Sequence, residues 1–197
     1  ARTAPRTVMV DGTLHVVGGQ EREGYRFTVP DVLSLDRDTG AWTRVADLPR
    51  MPGPSGGFSP ELLVSYEVAA VGRKLHVMGG SLIKIGGRVT STVSLDLDTR
   101  AWTVGADLPG PINDRKPVVV AGAIHLVPTS SLRPAGDSDR AFVLDAGATA
   151  WRSGPVSGLA LLAGGSYVTS AHDGKLFLFG GRLGAGQDLR DALAYDG

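Results

Sequence analysis

Short apolar runs separated by turn residues dominate the chain, and the stretch from Val68 to Pro109 carries the pattern most completely. Val68-Ala69-Ala70-Val71 is followed by the turn Gly72-Arg73-Lys74, then by Leu75-His76-Val77-Met78 and a glycine pair, Gly79-Gly80. A polar segment leads to Thr92-Val93-Ser94-Leu95-Asp96, Trp102 opens a last run, and the stretch closes on Leu108-Pro109. Runs this short between turn residues predict four strands in an antiparallel meander. The first part of the chain reads the same way. Strands are predicted over Thr7–Val10, Leu14–Val17, Asp31–Asp36 and Trp42–Val45, with Asp11-Gly12 as a hairpin turn. The glycine pairs are read as strand ends, because glycine admits backbone conformations that other residues resist.

The pattern recurs in register. Asp36 to Trp42, Asp96 to Trp102 and Asp145 to Trp151 are each six residues, and successive tryptophans are 60 and 49 residues apart. The strand with its glycine pair appears as Leu14–Gly19, Leu75–Gly80 and Leu176–Gly181; the third copy has Ile124-His125-Leu126-Val127 followed by Pro128-Thr129. Fixed internal order with variable loops and a period near 50 is the signature of propeller blades. A strand with Gly-Gly, a strand ending in Tyr/Leu-Asp, Trp six residues on, then Leu-Pro: this combination resembles the kelch repeat.

The resemblance implies an all-β fold, a kelch-type β-propeller of about four blades, each a four-stranded antiparallel meander. The blades fall at approximately 6–49, 66–109, 116–156 and 166–197. The last is incomplete in this chain, since its tryptophan would fall near position 202 by the spacing of the others. Three expectations follow for ring closure: an excerpt of a larger propeller, a homo-oligomer completing the propeller from two halves, or an irregular four-bladed ring. The connection 50–66, rich in Pro and Gly, breaks the pattern; a solvated insertion is favoured over a binding loop, with a brief turn or strand at Glu61–Val64.

Composition narrows the chemistry. The 20 basic and 20 acidic side chains balance, which removes the electrostatic argument for nucleic acid or an anionic membrane. There is no cysteine, hence no disulfide, zinc thiolate or cysteine nucleophile. No apolar run approaches the roughly 18 residues of a membrane-spanning helix. His15, His76 and His125 occupy one position of the repeat, where Phe177 stands in the fourth copy, so a packing role is favoured over metal binding. Asp36/Asp38 and Asp96/Asp98 sit in the turn before the Trp strand, where a carboxylate bonds nearby amides. The glycine pairs lack the frame of a phosphate loop. Catalytic residues, a metal site and a cofactor are not assigned.

The kelch resemblance also implies that loops after Gly-Gly and connections after Leu-Pro share one face. By position these are 20–30, 81–91, 128–140 and 182–191, with 50–66, 110–116 and 155–165. Candidate ligand-binding residues on that face are Arg22, Tyr25 and Arg26 in the first loop, Arg88 in the second, Arg133 in the third, and Arg182 and Gln187 in the fourth. Asn113 and Arg115 join them from a connection. Arginines around such a mouth suit carboxylates, which they bind through two parallel hydrogen bonds. Two functions are consistent with this: a binding module for a protein or peptide partner or a small acidic ligand, and a kelch-type enzyme such as a sugar-acid mutarotase or isomerase.

Overall fold

The computed structural model describes residues 2–21, 29–53, 57–83, 86–112, 115–128, 140–155, 168–173, 175–182 and 188–196. The chain forms two compact units, Ala1–Pro111 and Ile112–Gly197.

The first unit begins with β1 (Arg2–Thr3), β2 (Arg6–Val10), β3 (Thr13–Val17), β4 (Gln20–Glu21), β5 (Asp31–Leu35) and β6 (Trp42–Asp47). β2-β3-β5-β6 is an antiparallel four-stranded meander, while β1 and β4 pair as a small separate ribbon. A 3-10 turn, Pro60–Leu62, leads to β7 (Leu63–Val64), β8 (Glu67–Val71), β9 (Lys74–Leu82), β10 (Arg88–Asp96) and β11 (Trp102–Val104). This second sheet has the order β8-β9-β10-β11, with β7 sharing the outer edge of β9 beside β8. In the second unit β12 (Arg115–Val120), β13 (Ala123–Pro128), β14 (Arg140–Leu144) and β15 (Arg152–Pro155) form a third meander. β16 (Val168–His172), β17 (Lys175–Arg182) and β18 (Asp188–Asp196) form a fourth sheet of three strands among the described residues.

Turn chemistry sets these hairpins. Asp11 and Gly12 both have positive φ (47° and 75°), as do Ala121 and Gly122 (48° and 79°). That pair of signs defines the turn whose twist matches the flanking strands. At the corners before β6 and β11 an aspartate bonds the turn amides: the Asp36 Oδ1 accepts from the amides of Asp38 and Thr39 at 2.9 and 2.8 Å. Asp96 Oδ1 does the same with Asp98 and Thr99, both at 3.0 Å. The structural role expected for these aspartates is what they perform. The hydrogen bonds hold both carboxyls below the ordinary carboxylate range, the Thr39 and Thr99 amides contributing most. The Leu-Pro motif also has a repeated job. The Leu48 amide bonds the Pro30 carbonyl at 2.6 Å, the Leu108 amide bonds that of Thr90 at 2.8 Å, and both leucines are buried.

Two expectations need correction. The glycine pairs do not uniformly end their strands. β9 runs through Gly79-Gly80 and β17 through Gly180-Gly181, and the register against the next strand shifts at each. The glycines make bulges, which re-aim the strand without terminating it. Nor is the 50–66 connection a solvated insertion. Met51, Leu63 and Tyr66 are buried in the first unit's core beside Val17, Val32, Leu75 and Val77. Where a brief turn or strand was expected at Glu61–Val64, both occur: the 3-10 turn Pro60–Leu62 and β7.

Tyr66 explains the first glycine pair. Its hydroxyl donates to the Val17 carbonyl at 3.1 Å, and a Cβ on Gly18 would lie 1.8 Å from that oxygen. Burial pushes the Tyr66 phenol up to about 12, against an opposing hydrogen bond from the Gly19 backbone. The three repeat histidines sit within their sheets. His15 Nδ1 lies 3.2 Å from the Thr13 carbonyl and His76 Nδ1 lies 2.8 Å from Ser94 Oγ. Burial is the main cause lowering the pKa of all three. His172 is exposed at the end of β16.

Candidate functional site

The bulge at Gly79-Gly80 creates the setting for a cleft. β9 continues past it to Leu82, where β7 pairs with Ser81 and Leu82. The Ile83 amide donates to the Leu62 carbonyl at 2.8 Å, and the Leu82 amide to that of Gly87 at 3.0 Å. A post-glycine loop is thereby stitched to the connection that follows Leu48-Pro49. On the connection, Met51 and Phe58 exchange backbone hydrogen bonds at 3.1 Å, which stands the Phe58 ring against Gly53. Gly57, with φ of 92°, lies so close to the Met51 carbonyl that a Cβ there would come within 2.6 Å of it.

Between these segments lies a cleft of about 460 Å³, lined by Pro52, Gly53, Phe58, Leu82, Arg88, Val89, Thr90, Ser91 and Asp107. Its walls are apolar on the Phe58 and Leu82 sides. Exposed Arg88 and Asp107 bring opposite charges to it. Ser91 is 4% exposed, and its hydroxyl has no hydrogen-bond partner. Asp107 belongs to a recurring Ala-Asp-Leu-Pro segment. In the first sheet the equivalent Asp47 pairs with Arg44. Position 104, which corresponds to Arg44, is Val104, so the second sheet lacks that internal partner.

A second hollow, about 590 Å³ and lined by Thr13, Ser34, Asp36, Arg37 and Thr43, lies at the opposite end of the first sheet. It is shallow, and its Asp36 carboxylate already serves the corner turn.

Of the sequence candidates, Arg88 lines the cleft. Arg115, the first residue of β12, is 1% exposed. Its guanidinium carbon is 4.0 Å from the Phe142 ring centroid and its Nη1 donates to the Arg140 carbonyl, so its charge is directed into the third sheet. Arg182 is the last residue of β17, opposite Asp188 in the backbone register with β18. Arg22, Tyr25, Arg26, Asn113, Arg133 and Gln187 lie outside the described residues.

Sequence reasoning passed over Phe58, Ser91 and Asp107. Asp107 had a signal, the repeated Ala-Asp-Leu-Pro with its Arg replaced by Val; Phe58 and Ser91 had none. It also passed over a half-buried ion pair at the start of two first strands. Arg6 Nη2 lies 3.0 Å from Glu67 Oε1, Arg6 Nε donates to the Tyr66 carbonyl at 2.8 Å, and Glu67 is 6% exposed.

No family model matches the chain, and no curated protein matches it in sequence. Among solved structures it is similar to that titled "Structure of YjhT", with a TM-score of 0.64 at 18% identity over 91% of this chain and 59% of that one. The chain thus spans less than two thirds of that protein's length. The likeness establishes the fold: an all-β propeller of four antiparallel sheets.

Proposed function

We propose that the protein is a kelch-type binding module that presents its post-glycine loops and post-Leu-Pro connections to a carboxylate-bearing partner: a protein, a peptide or a small acid. The observation that carries this reading is the cleft. A loop and a connection, far apart in sequence, are hydrogen-bonded together around an apolar hollow with an arginine at its rim. Arginine on an apolar wall is a favourable carboxylate receptor, because the guanidinium offers two parallel donors and sheds water readily.

The test is fluorescence anisotropy with labelled acidic peptides and neutral peptides of equal length. Acidic peptides should bind more tightly than neutral ones, and Arg88→Glu should weaken them by about tenfold or more, the equivalent of about 1.4 kcal/mol. Equal binding of both peptide sets, or no effect of Arg88→Glu, overturns the reading.

One observation favours the enzymatic alternative, a sugar-acid mutarotase or isomerase: the buried Glu67 beside Arg6. Such a carboxylate could serve as general base or acid if substrate reached it. Arg6, however, also holds the Tyr66 carbonyl, and a brace between two strands accounts for both contacts. An anomer-exchange assay by NMR on the protein and on Glu67→Gln separates the readings: turnover lost in a folded variant supports the enzyme.

A further inference from the structure

Each sheet has two faces, and the first unit shows how unlike faces pack. In the second sheet Leu75, Val77, Val93, Leu95 and Trp102 share one face by register. That face is buried in a common core with Val8, Val10, Val17 and Val32, which share the other kind of face in the first sheet. A tryptophan-bearing face of one sheet thus receives the valine face of its neighbour.

The first sheet repeats the tryptophan-bearing face and leaves it open. The residues equivalent to those five are Leu14, Val16, Leu33, Leu35 and Trp42, joined by Met9 opposite Leu14. Met9 is 58% and Trp42 48% exposed, and the other four are only partly buried. Monomers rarely leave so continuous an apolar patch in water. The fourth sheet shows the reverse. Val168, Phe179 and Ala192 stand opposite one another, as do Ser170, Phe177 and Ala194. Phe179 holds the repeat position of Val17, so this is the kind of face that packs on a neighbour's tryptophan side. The Phe177 and Phe179 rings stack with centroids 6.1 Å apart, and Val168 and Phe179 are 69% and 45% exposed.

We propose that the protein self-associates, the phenylalanine face of the fourth sheet in one copy packing on the tryptophan face of the first sheet in another. A second copy is the occupant because this chain displays both halves of the contact, each apolar and each open. The core between the first and second sheets already shows that the two kinds of face pack together. Arg44, opposite Leu33, has Asp47 as its partner, so covering the tryptophan face does not strand its charge. The contact joins unlike surfaces: each copy gives one face and receives one, and two copies that do so leave neither open. Neither face carries Arg88 or Phe58, so the inference is independent of what the cleft binds.

The experiment is sedimentation velocity on the whole chain over a wide concentration range, with Trp42→Lys and Phe179→Lys as variants at exposed positions. The parent should be a dimer that dissociates on dilution. Each variant alone should be monomeric, its dissociation constant raised at least about a hundredfold, because a lysine then sits in both contacts of the dimer. An equal mixture of the two variants should form a mixed dimer through the one contact left intact, which also shows that both are folded. Dimers formed by either variant alone overturn the pairing of unlike faces. So does a mixture that stays monomeric while both variants unfold in urea as cooperatively as the parent. A parent that is monomeric at every concentration overturns the proposal outright and leaves the two faces to another occupant, a further sheet of a longer chain or a different protein.

Discussion

Gly18 and Tyr66 meet across 48 positions of sequence, and a double-mutant cycle between them tests how the first two sheets are joined. The Gly18→Ala substitution places a methyl group where the Tyr66 hydroxyl now sits: the added Cβ would be 1.8 Å from that oxygen and 3.1 Å from the ring carbon carrying it. The backbone there has φ of 58°, which alone costs an alanine about 1 kcal/mol. Expelling the hydroxyl from its bond to the Val17 carbonyl adds about 1–3 kcal/mol, and strain from displacing a buried ring adds about 1 more. The single substitution should therefore cost about 4 kcal/mol. Tyr66→Phe alone forfeits one buried hydrogen bond, about 1 kcal/mol. In the double variant the hydroxyl is gone, the closest approach becomes the tight but tolerable ring-carbon contact, and only backbone strain and mild crowding persist. The two substitutions together should cost about 3 kcal/mol where a simple sum gives about 5, a coupling of about 2 kcal/mol of the sign expected for a relieved clash. Urea unfolding of the four proteins, compared at constant m-value, measures this. Additive costs would mean that Tyr66 does not fill the space above Gly18, and the reasoning would fall.

The same phenol sets an alkaline limit. With its folded pKa at about 12 against an ordinary 10.0, Tyr66 contributes stability that is complete below pH 10 and lost as pH rises toward 12, up to about 3 kcal/mol. Unfolding midpoints across that window should fall more steeply in the parent than in Tyr66→Phe; parallel curves refute the assignment. At the acid end the sign reverses. Asp36 and Asp96 are depressed by their turn amides, so their contribution is present above the ordinary aspartate value of 3.8 and lost as pH falls through their lower folded values. Replacing both by Asn should flatten the acid limb of the stability curve, and an unchanged limb counts against the turns as its source. Ala121 has φ of 48° at a position where the first hairpin has Asp11. Ala121→Asn should raise stability by about 0.5–1 kcal/mol in urea unfolding, since Asn-Gly suits this turn and Ala does not; a decrease would contradict the turn geometry.

What the sequence made legible was local. The hairpin at Asp11-Gly12, the aspartate corners and the spacing from Asp to Trp all rest on residues within a few positions of one another, and each is found as read. The misreadings involve partners distant in the chain. Gly18-Gly19 does end β3, as read, but what packs against it, Tyr66, lies 48 residues on; Gly79-Gly80 reads as a strand end although β9 runs on through it to pair with β7. Pro and Gly between Arg50 and Tyr66 signal a loop correctly, but the buried Met51, Leu63 and Tyr66 follow no strand or helix period and so gave no sign of a core. Arg115 carries a charge visible to any reader, while the Phe142 ring that receives it is 27 residues away. The cleft was half legible. Arg88 was marked by its loop, but Ser91 is one hydroxyl in a run of strand-forming residues, and its missing hydrogen bond exists only in three dimensions.

The aspartate corners carry one more consequence. The amide bonds to the Asp36 and Asp96 carboxylates begin and end within six residues. At the second corner Arg73 adds a longer clasp: its carbonyl accepts from the Leu97 amide at 3.0 Å, and its guanidinium reaches Asp98 and, in the first sheet, Asp11, both at 2.6 Å. Lengths at the other end differ, from the ten residues of 182–191 to the thirteen of 128–140. The two ends thus follow different rules: one is fixed by short turn bonds and, at the second corner, by the Arg73 clasp, while the other varies in length. A segment grafted between β9 and β10 would reshape the rim of the cleft without touching the bonds that fold the Asp96 corner.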